Sequence, residues 1–321
     1  MAVYFLTIKT FGRAANSSAV SAAAYRSGER LHDERTGKTY DHSARQDVMH
    51  KEIVLPSRFA GDEVSWARDR GSLWNSAEHA ESRRNARVAR EYLVALPVEL
   101  SLEQQVSLTH GFAHELTDRY GFALDVAIHA PRDYPGSDPR NFHAHLLATT
   151  REVQLQGLGG KTSMEWSDAT RRAAGLGPGV GEVLHVRHRW AEVTNEALRQ
   201  AEIDARIDHR TLRAQGVDRE PYPHIPRAAF EMERHGYRSY QAERIREEYA
   251  ARVEARERER EHERERERSV ASERPKSLDE VRREARENWL RMREGHAATA
   301  EPAAAERSGA ANLNRDEDLT R

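Results

Sequence analysis

The sequence predicts an α+β domain, an antiparallel sheet with helices packed on one side, followed by a charged region of different character. Three observations lead there. Segments rich in β-branched and aromatic residues alternate with capped, amphipathic helical segments over residues 3–203. Two strand-like segments, 122–131 and 141–153, are joined by a short connection, and strands so joined usually pair antiparallel. From about residue 238 the apolar periodicity gives way to Arg and Glu. The expected organisation is one domain over 1–237 and a charged helical or disordered region over 238–321.

Each element has its own signal. Residues 3–11 (VYFLTIKTF) read as the first strand. Asn16, Ser17 and Ser18 offer N-cap oxygens to an alanine-rich helix, AVSAAAYRSGER, which carries Tyr25. Thr36-Gly37-Lys38 marks a hairpin-like stretch leading to a strand near VMHKEIVLP, which ends at Pro56. Residues 62–84 read as a helix with Trp66, Leu73, Trp74 and Ala77 roughly on one face. REYLVALP at 90–97 is a further strand. The helix SLEQQVSLTHGFAHELTDRYG follows, with Ser101 and Gln104 as a capping box and Gly121 as its stop. FALDVAIHAP and NFHAHLLATTREV are then neighbouring strands across a loop through Pro139. Residues 154–181, rich in Gly and polar side chains, read as a long loop or flap, and a helix spans about 185–203 before the polar segment DARIDHRTLRAQG. The run EAREREREHERERER (254–268) places opposite charges at i+3 but like charges at i+4, so it is either a solvated single helix or disordered. KSLDEVRREARENWLRMREG reads as a short helix, and the tail after His296 as disordered.

Composition excludes several classes. No run of about 18 apolar residues is present, so no membrane span is expected. The N-terminus lacks the basic-then-apolar layout of a secretory signal, and a cytoplasmic location is expected. The absence of cysteine removes disulfides, thiolate nucleophiles and cysteine-ligated metals. A net charge of −2 gives no global footprint for nucleic acid, so DNA binding needs a local basic surface. Arg83, Arg84, Arg87 and Arg90 form one such cluster, although clusters of this kind are often plain solvated surface.

Three features carry chemistry. In an extended segment His143 and His145 project to the same side, while on the preceding strand Asp125, Ala127 and His129 share a face opposite Leu124, Val126 and Ile128. If the two strands are antiparallel neighbours, His129 approaches the pair and three imidazoles converge with coordination positions left open. An isolated H-x-H pair is more often a pair of solvated histidines, and the third histidine tips the balance. Tyr25 lies near the middle of the first helix, where a tyrosine is usually core or surface. A phenol becomes a useful nucleophile only when its developing charge is stabilised and its proton accepted. Ala22, Ala23 and Ala24 leave room for an approaching backbone, and Arg26 stands beside Tyr25 to meet phosphate. Glu91 shares a strand face with Leu93 and Ala95, where it either orients a ligand imidazole, acts as a general base, or forms a structural ion pair.

Several multi-residue segments resemble one family. VYFLTIKTFGR with NSSAVSAAAYRSGE, NARVAREYLVALPVELS, IHAPRDYPGSDPRNFHAHLLATTRE and WAEVTNEALRQAEIDARIDHRTLRAQGVDREPYPH are similar, in order, to the core of MobA/MobL-type relaxases over about residues 1–235. These are MobQ-like members of the HUH endonuclease group, and His143-Ala144-His145 is the motif that gives the group its name. The resemblance implies a five-stranded antiparallel sheet with flanking helices, forming a relaxase (nickase) domain. It places the family tyrosine on Tyr25, the metal ligands on His129, His143 and His145, and the family's acidic position on Glu91. It implies a divalent cofactor, manganese or magnesium first, with zinc, cobalt or nickel also compatible with nitrogen ligands. The implied partners are single-stranded or melted plasmid transfer-origin DNA and other mobilisation or transfer proteins. Arg151, Asp208-His209-Arg210 and Gln215-Gly216 also match, without an assigned role. Some longer relatives continue into a helicase or primase where this chain has its charged tail, so unwinding is expected from another protein. The expected reaction is nicking by transesterification, with a 5′-phosphotyrosine link and later rejoining. Three other readings share parts of the pattern: a rolling-circle replication initiator, a non-catalytic DNA-binding accessory protein, and a simple metallohydrolase that leaves Tyr25 unexplained.

Overall fold

The computed structural model describes residues 2–13, 18–59, 61–132, 138–273 and 276–298. They form two compact units, 1–218 and 219–321. In the first unit, β1 (Leu6–Gly12) leads to α1 (Ala19–Ser27), a small hairpin of β2 (Arg30–Asp33) and β3 (Lys38–Asp41), and β4 (Val48–Val54). Next come α2 (Ser65–Arg68), α3 (Arg70–His79), β5 (Arg87–Ala95), α4 (Leu102–Tyr120), β6 (Leu124–His129) and β7 (His143–Thr149). A second hairpin, β8 (Arg151–Gln154) and β9 (Gly157–Lys161), then α5 (Asp168–Ala173) and α6 (Gly179–Gln200), complete it.

Five strands form one sheet in the order β1-β5-β7-β6-β4, antiparallel throughout, which is the sheet that the resemblance implies. Side chains alternate across it. Tyr92, Val94, Leu124, Val126, Ile128, Leu146 and Ala148 point to one face and pack with Phe112 and Leu116 of α4 and Trp190 and Leu198 of α6. Ala89 and Leu147 point to the other face, against Ala19, Val20, Ala23 and Ala24 of α1 and Leu73, Trp74 and Ala77 of α3. The sheet therefore carries helices on both faces, not on one side as its sequence suggests, and β6 is buried along its whole length. The sequence shows the amphipathic stripe of α4 plainly; α1 presents alanines, whose burial a sequence does not advertise.

Three further differences have local causes. The helix expected over 62–84 is broken at Asp69, whose backbone is extended (φ −86°, ψ 120°) and whose side chain accepts from the Ser72 amide, so that it caps α3 instead of continuing α2. α3 stops at His79. The strand expected through 153 ends at Thr149, and much of the flap expected at 154–181 is β9 and α5, turned at Gly157 with φ 140°. A strand reading Gly-Leu-Gly-Gly-Lys lacks the β-branched and aromatic residues by which strands are recognised.

The second unit contains α7 (Arg227–Arg234), α8 (Tyr240–Glu273) and α9 (Leu278–Ala298). The Arg/Glu run lies within α8, the helical one of its two readings. Glu233 pairs with Arg246, and Glu220 with Arg252. The part of the tail beyond Ala298 lies outside the described residues. No helix among the described residues is long and apolar enough to cross a membrane.

Candidate functional site

The site is built at the C-terminal end of α1 and the open end of the sheet face beneath it. α1 starts at Ser18, whose side chain accepts from the Ser21 amide; Asn16 and Ser17 lie outside the described residues. The Ala19 amide donates to Oε1 of the fully buried Glu78 at 2.7 Å. At the far end Gly28, at φ 63°, closes the helix. The last turn of a helix leaves carbonyls without intrahelical partners. Here Arg45 Nη1 donates to the Tyr25 carbonyl (2.5 Å), His129 Nε2 to that of Arg26 (2.7 Å) and Lys51 Nζ to that of Ser27 (3.2 Å). The helix carrying Tyr25 is thus tied directly to one of the three histidines.

Register brings the histidines together. β6 and β7 pair antiparallel with His129 opposite His143 and Ala127 opposite His145. The ring centroids stand 4.7–5.4 Å apart, and one ring nitrogen from each lies within 4.8 Å of the others. Each ring also has an acceptor for its second nitrogen. His145 Nδ1 faces Glu91 Oε1 at 2.6 Å, His143 Nδ1 the Asn141 carbonyl at 2.9 Å, and His129 Nε2 the Arg26 carbonyl. A carbonyl or carboxylate oxygen only accepts, so those nitrogens carry the hydrogen. Nε2 of His143 and of His145 and Nδ1 of His129 keep their lone pairs, and Arg45 Nη2 lies 3.3 Å from the last. Burial disfavours the charged form of all three rings and takes His129 down to about 3, with repulsion from His145 adding to the effect. Three neutral imidazoles with fixed tautomers can hold a divalent ion.

Glu91 lies on the triad's sheet face, with Arg90 and Tyr92 on the other, as its sequence suggests. Burial raises its carboxyl, but hydrogen bonds from His145 and Arg26 outweigh that and hold it at about 2. Arg26 does not reach outward to meet phosphate: its Nε lies 2.5 Å from Glu91 Oε1, in a largely buried pair. Nor do Ala22, Ala23 and Ala24 leave an opening, since they are buried in the helix–sheet contact.

Tyr25 is 38% exposed. Arg132 Nη2 donates to its hydroxyl at 3.2 Å, and the Arg45 guanidinium lies 4.3 Å from its ring centroid. Asp47 binds Arg45 through both carboxylate oxygens (2.9 and 2.6 Å) and Arg132 at 2.9 Å. Burial raises the Asp47 carboxyl, yet the two guanidiniums hold it well below the usual carboxylate range. Arg45, Asp47 and Arg132 are absent from the sequence reading. Arg132 stands within the quoted IHAPRDYPG segment, but nothing in the spacing of Arg45 and Asp47 announces that a turn folds them beneath α1. Of the basic cluster, Arg83, Arg84 and Arg87 are exposed, whereas Arg90 is buried on the opposite face against Glu165 (2.6 Å); Arg151, matched without a role, binds Glu81 (2.7 Å).

The family model described as MobA/MobL matches residues 17–235, two thirds of the chain and every site residue above. The chain belongs to the MobA/MobL family. Mobilization protein MobL of Acidithiobacillus ferridurans is 37% identical over 253 residues, covering 73% of this chain and 64% of that protein. Mobilization protein A of Escherichia coli is 33% identical over 254 residues, covering 76% of this chain and 32% of its own length. The chain thus spans less than two thirds of these curated relatives. A solved structure concerned with the molecular basis of vancomycin resistance transfer in Staphylococcus aureus aligns with a TM-score of 0.52 at 27% identity, over 65% of this chain and 100% of that one.

Proposed function

We propose that this MobA/MobL chain is a mobilisation relaxase that nicks one strand of a plasmid transfer origin and keeps the 5′ end on Tyr25. The observation that carries this reading is the convergence of three neutral, oriented imidazoles with a helix-borne tyrosine whose hydroxyl faces a guanidinium. A divalent ion held by His129, His143 and His145 would polarise the scissile phosphate and offset the charge of its transition state.

The chain's own groups supply the rest. Tyr25 gives its hydroxyl proton to water and its Oη attacks phosphorus in line; the new P–O bond forms as the bond to the 3′ oxygen breaks, and that oxygen takes a proton from water. Arg132, donating to Oη, and Arg45, over the ring face, orient the tyrosine for that attack. Asp47 keeps the two guanidiniums in place without reaching the phenol itself. Glu91 is a positioning residue: its bonds to His145 and Arg26 fix a ligand ring and leave it a poor general base. Because one phosphodiester is exchanged for another, a free 3′ hydroxyl reverses the step and rejoins the strand. The DNA at the nick is single-stranded or melted.

The test is to incubate the protein with labelled single-stranded oligonucleotides tiled across the plasmid's candidate transfer origin, with manganese or EDTA, on a denaturing gel. A metal-dependent covalent adduct, lost in Tyr25→Phe, is expected. An adduct that persists in Tyr25→Phe removes the tyrosine's role. No adduct on any oligonucleotide, from folded, metal-binding protein, assigns the chain to DNA binding without catalysis.

A further inference from the structure

Past His143, toward β5 and β1, the sheet continues into a cavity of 470 Å³ with a mainly apolar lining. Its construction follows from register. Leu6 pairs with Val94 and Thr7 with Leu93, and the Ala95 amide donates to the Phe5 carbonyl, so Phe5 stands beside Ala95. Ala95 in turn stands beside His143. Phe5, Ala95 and His143 thus form one row across three neighbouring strands, with alternate side chains on one face. The outer two are separated by two strand spacings, about 10 Å. The middle residue is only a methyl group, so the row has an aromatic ring at one end, an imidazole at the other and a gap between. Val3 and Val98 extend the walls, and Arg140 and Asp138, ion-paired at 2.9 Å, complete the lining with Asn141. Val3, Phe5 and Val98 are 69%, 46% and 39% exposed, three large apolar side chains left in solvent around one cavity.

We infer that this cavity takes a nucleobase of the DNA strand being cut, stacked against Phe5 and the outer side of His143. The inference rests on the nicking role proposed above. The occupant follows from continuity: His143 is at once a wall of the cavity and a member of the triad, so whatever carries the phosphate at the triad has its neighbouring group here. A mainly apolar cavity with an aromatic ring at one end and an imidazole at the other suits the π-face of a base, and such stacking is tolerant of sequence. The volume lies within the ~300–1,000 Å³ of small-ligand sites. Geometry also fixes which base it is. Tyr25 is held on the β6 side, where its hydroxyl meets Arg132 and the Arg45 beneath its ring reaches His129, whereas the cavity lies on the β5 and β1 side of His143. In-line displacement puts the attacking and leaving oxygens on opposite sides of phosphorus. The base in the cavity therefore belongs to the nucleotide immediately 5′ of the nick, the one that leaves with the 3′ hydroxyl.

The test is a double-mutant cycle on binding, read by fluorescence anisotropy with the full chain and labelled single-stranded transfer-origin oligonucleotides made abasic at one position at a time. Phe5→Ala is expected to weaken binding of the intact strand by roughly ten- to a hundred-fold. The same substitution should change little when the nucleotide 5′ of the nick is abasic, and Phe5→Trp should retain tight binding. Because Phe5 is half exposed, its truncation leaves the fold in place. Equal losses on the intact strand and on strands abasic at every position overturn the proposal, as does coupling confined to the 3′ side. Binding needs no cleavage: coupling without an adduct refutes the nicking role alone, and an adduct without coupling refutes the base pocket alone.

Discussion

Glu91 shows how one side chain serves stability and ligand geometry together. Its carboxylate is buried and meets both Arg26 and His145. Glu91→Gln keeps an acceptor for His145 but removes the charge opposite Arg26, and loss of such an outer partner typically costs 10–100-fold in metal affinity. Calorimetric titration with manganese should show that loss with the chain still folded, and an unchanged affinity would show that the His145 ring needs no carboxylate. The pH dependence follows from the same pair. A carboxyl held at about 2 in the folded chain, below its ordinary 4.5, contributes stability that is fully present above 4.5 and is lost as pH falls through 2. Urea midpoints of wild type and Glu91→Gln should therefore differ at pH 7 and converge between pH 4.5 and 2. At this scale the sequence is informative about reactive types and poor on their partners. The three histidines, Glu91 and Tyr25 were all legible, because strand alternation and the motif segments single them out. Arg26 was misread, since the adjacency of residues 25 and 26 says nothing about opposite directions on a helix. Arg45 and Arg132 reach Tyr25, and Asp47 reaches those two, only through tertiary folding.

At the scale of elements, the position of Tyr25 depends on how α1 is pinned. Ser18 and Glu78 hold its start, and Gly28 lets the chain turn away at its end. A Cβ at Gly28 would stand 3.1 Å from Val48 Cγ2, and φ 63° is a left-handed conformation that side chains resist. Gly28→Ala should lower stability by about 1–2 kcal/mol in urea unfolding. The larger effect is expected on chemistry, because the three carbonyls gripped by Arg45, His129 and Lys51 lie in the turn that must shift. Displacing a nucleophile by a fraction of an ångström to 1 Å costs up to about a hundred-fold in rate. Adduct formation at manganese saturation should accordingly fall by more than ten-fold, and a variant that loses stability but keeps its rate would show that the helix end tolerates movement. The helix was legible from its capping serine and alanine run, and the glycine stop lies within the quoted segment. Its place on the triad's face was not, because polar cover and alanine cover look alike in one dimension. The β8–β9 hairpin escaped for a related reason: glycine reads as loop whether it turns the chain or lies in a strand.

At the scale of the whole molecule, the question is where the working unit ends. Composition puts the change near 238, the family match runs to 235, and the compact unit that holds every site residue ends at 218. These three boundaries measure different things. A charge run is visible only once apolar residues stop altogether, and a family match extends as far as relatives share sequence. Compactness follows contacts, and α7 packs with α8 within the second unit. Residues 219–237 are therefore the informative segment. If catalysis needs only the compact unit, chains ending at 218 and at 237 should both form the Tyr25 adduct within about two-fold of the full chain, by the additivity expected of independent parts. If 237 works and 218 does not, the segment that includes α7 belongs to the nicking domain despite its contacts with α8, and the boundary read from composition is the functional one. Failure of both, with each truncated chain folded by circular dichroism and binding manganese, would give the charged helices a part in catalysis that their solvated, ion-paired surfaces do not suggest.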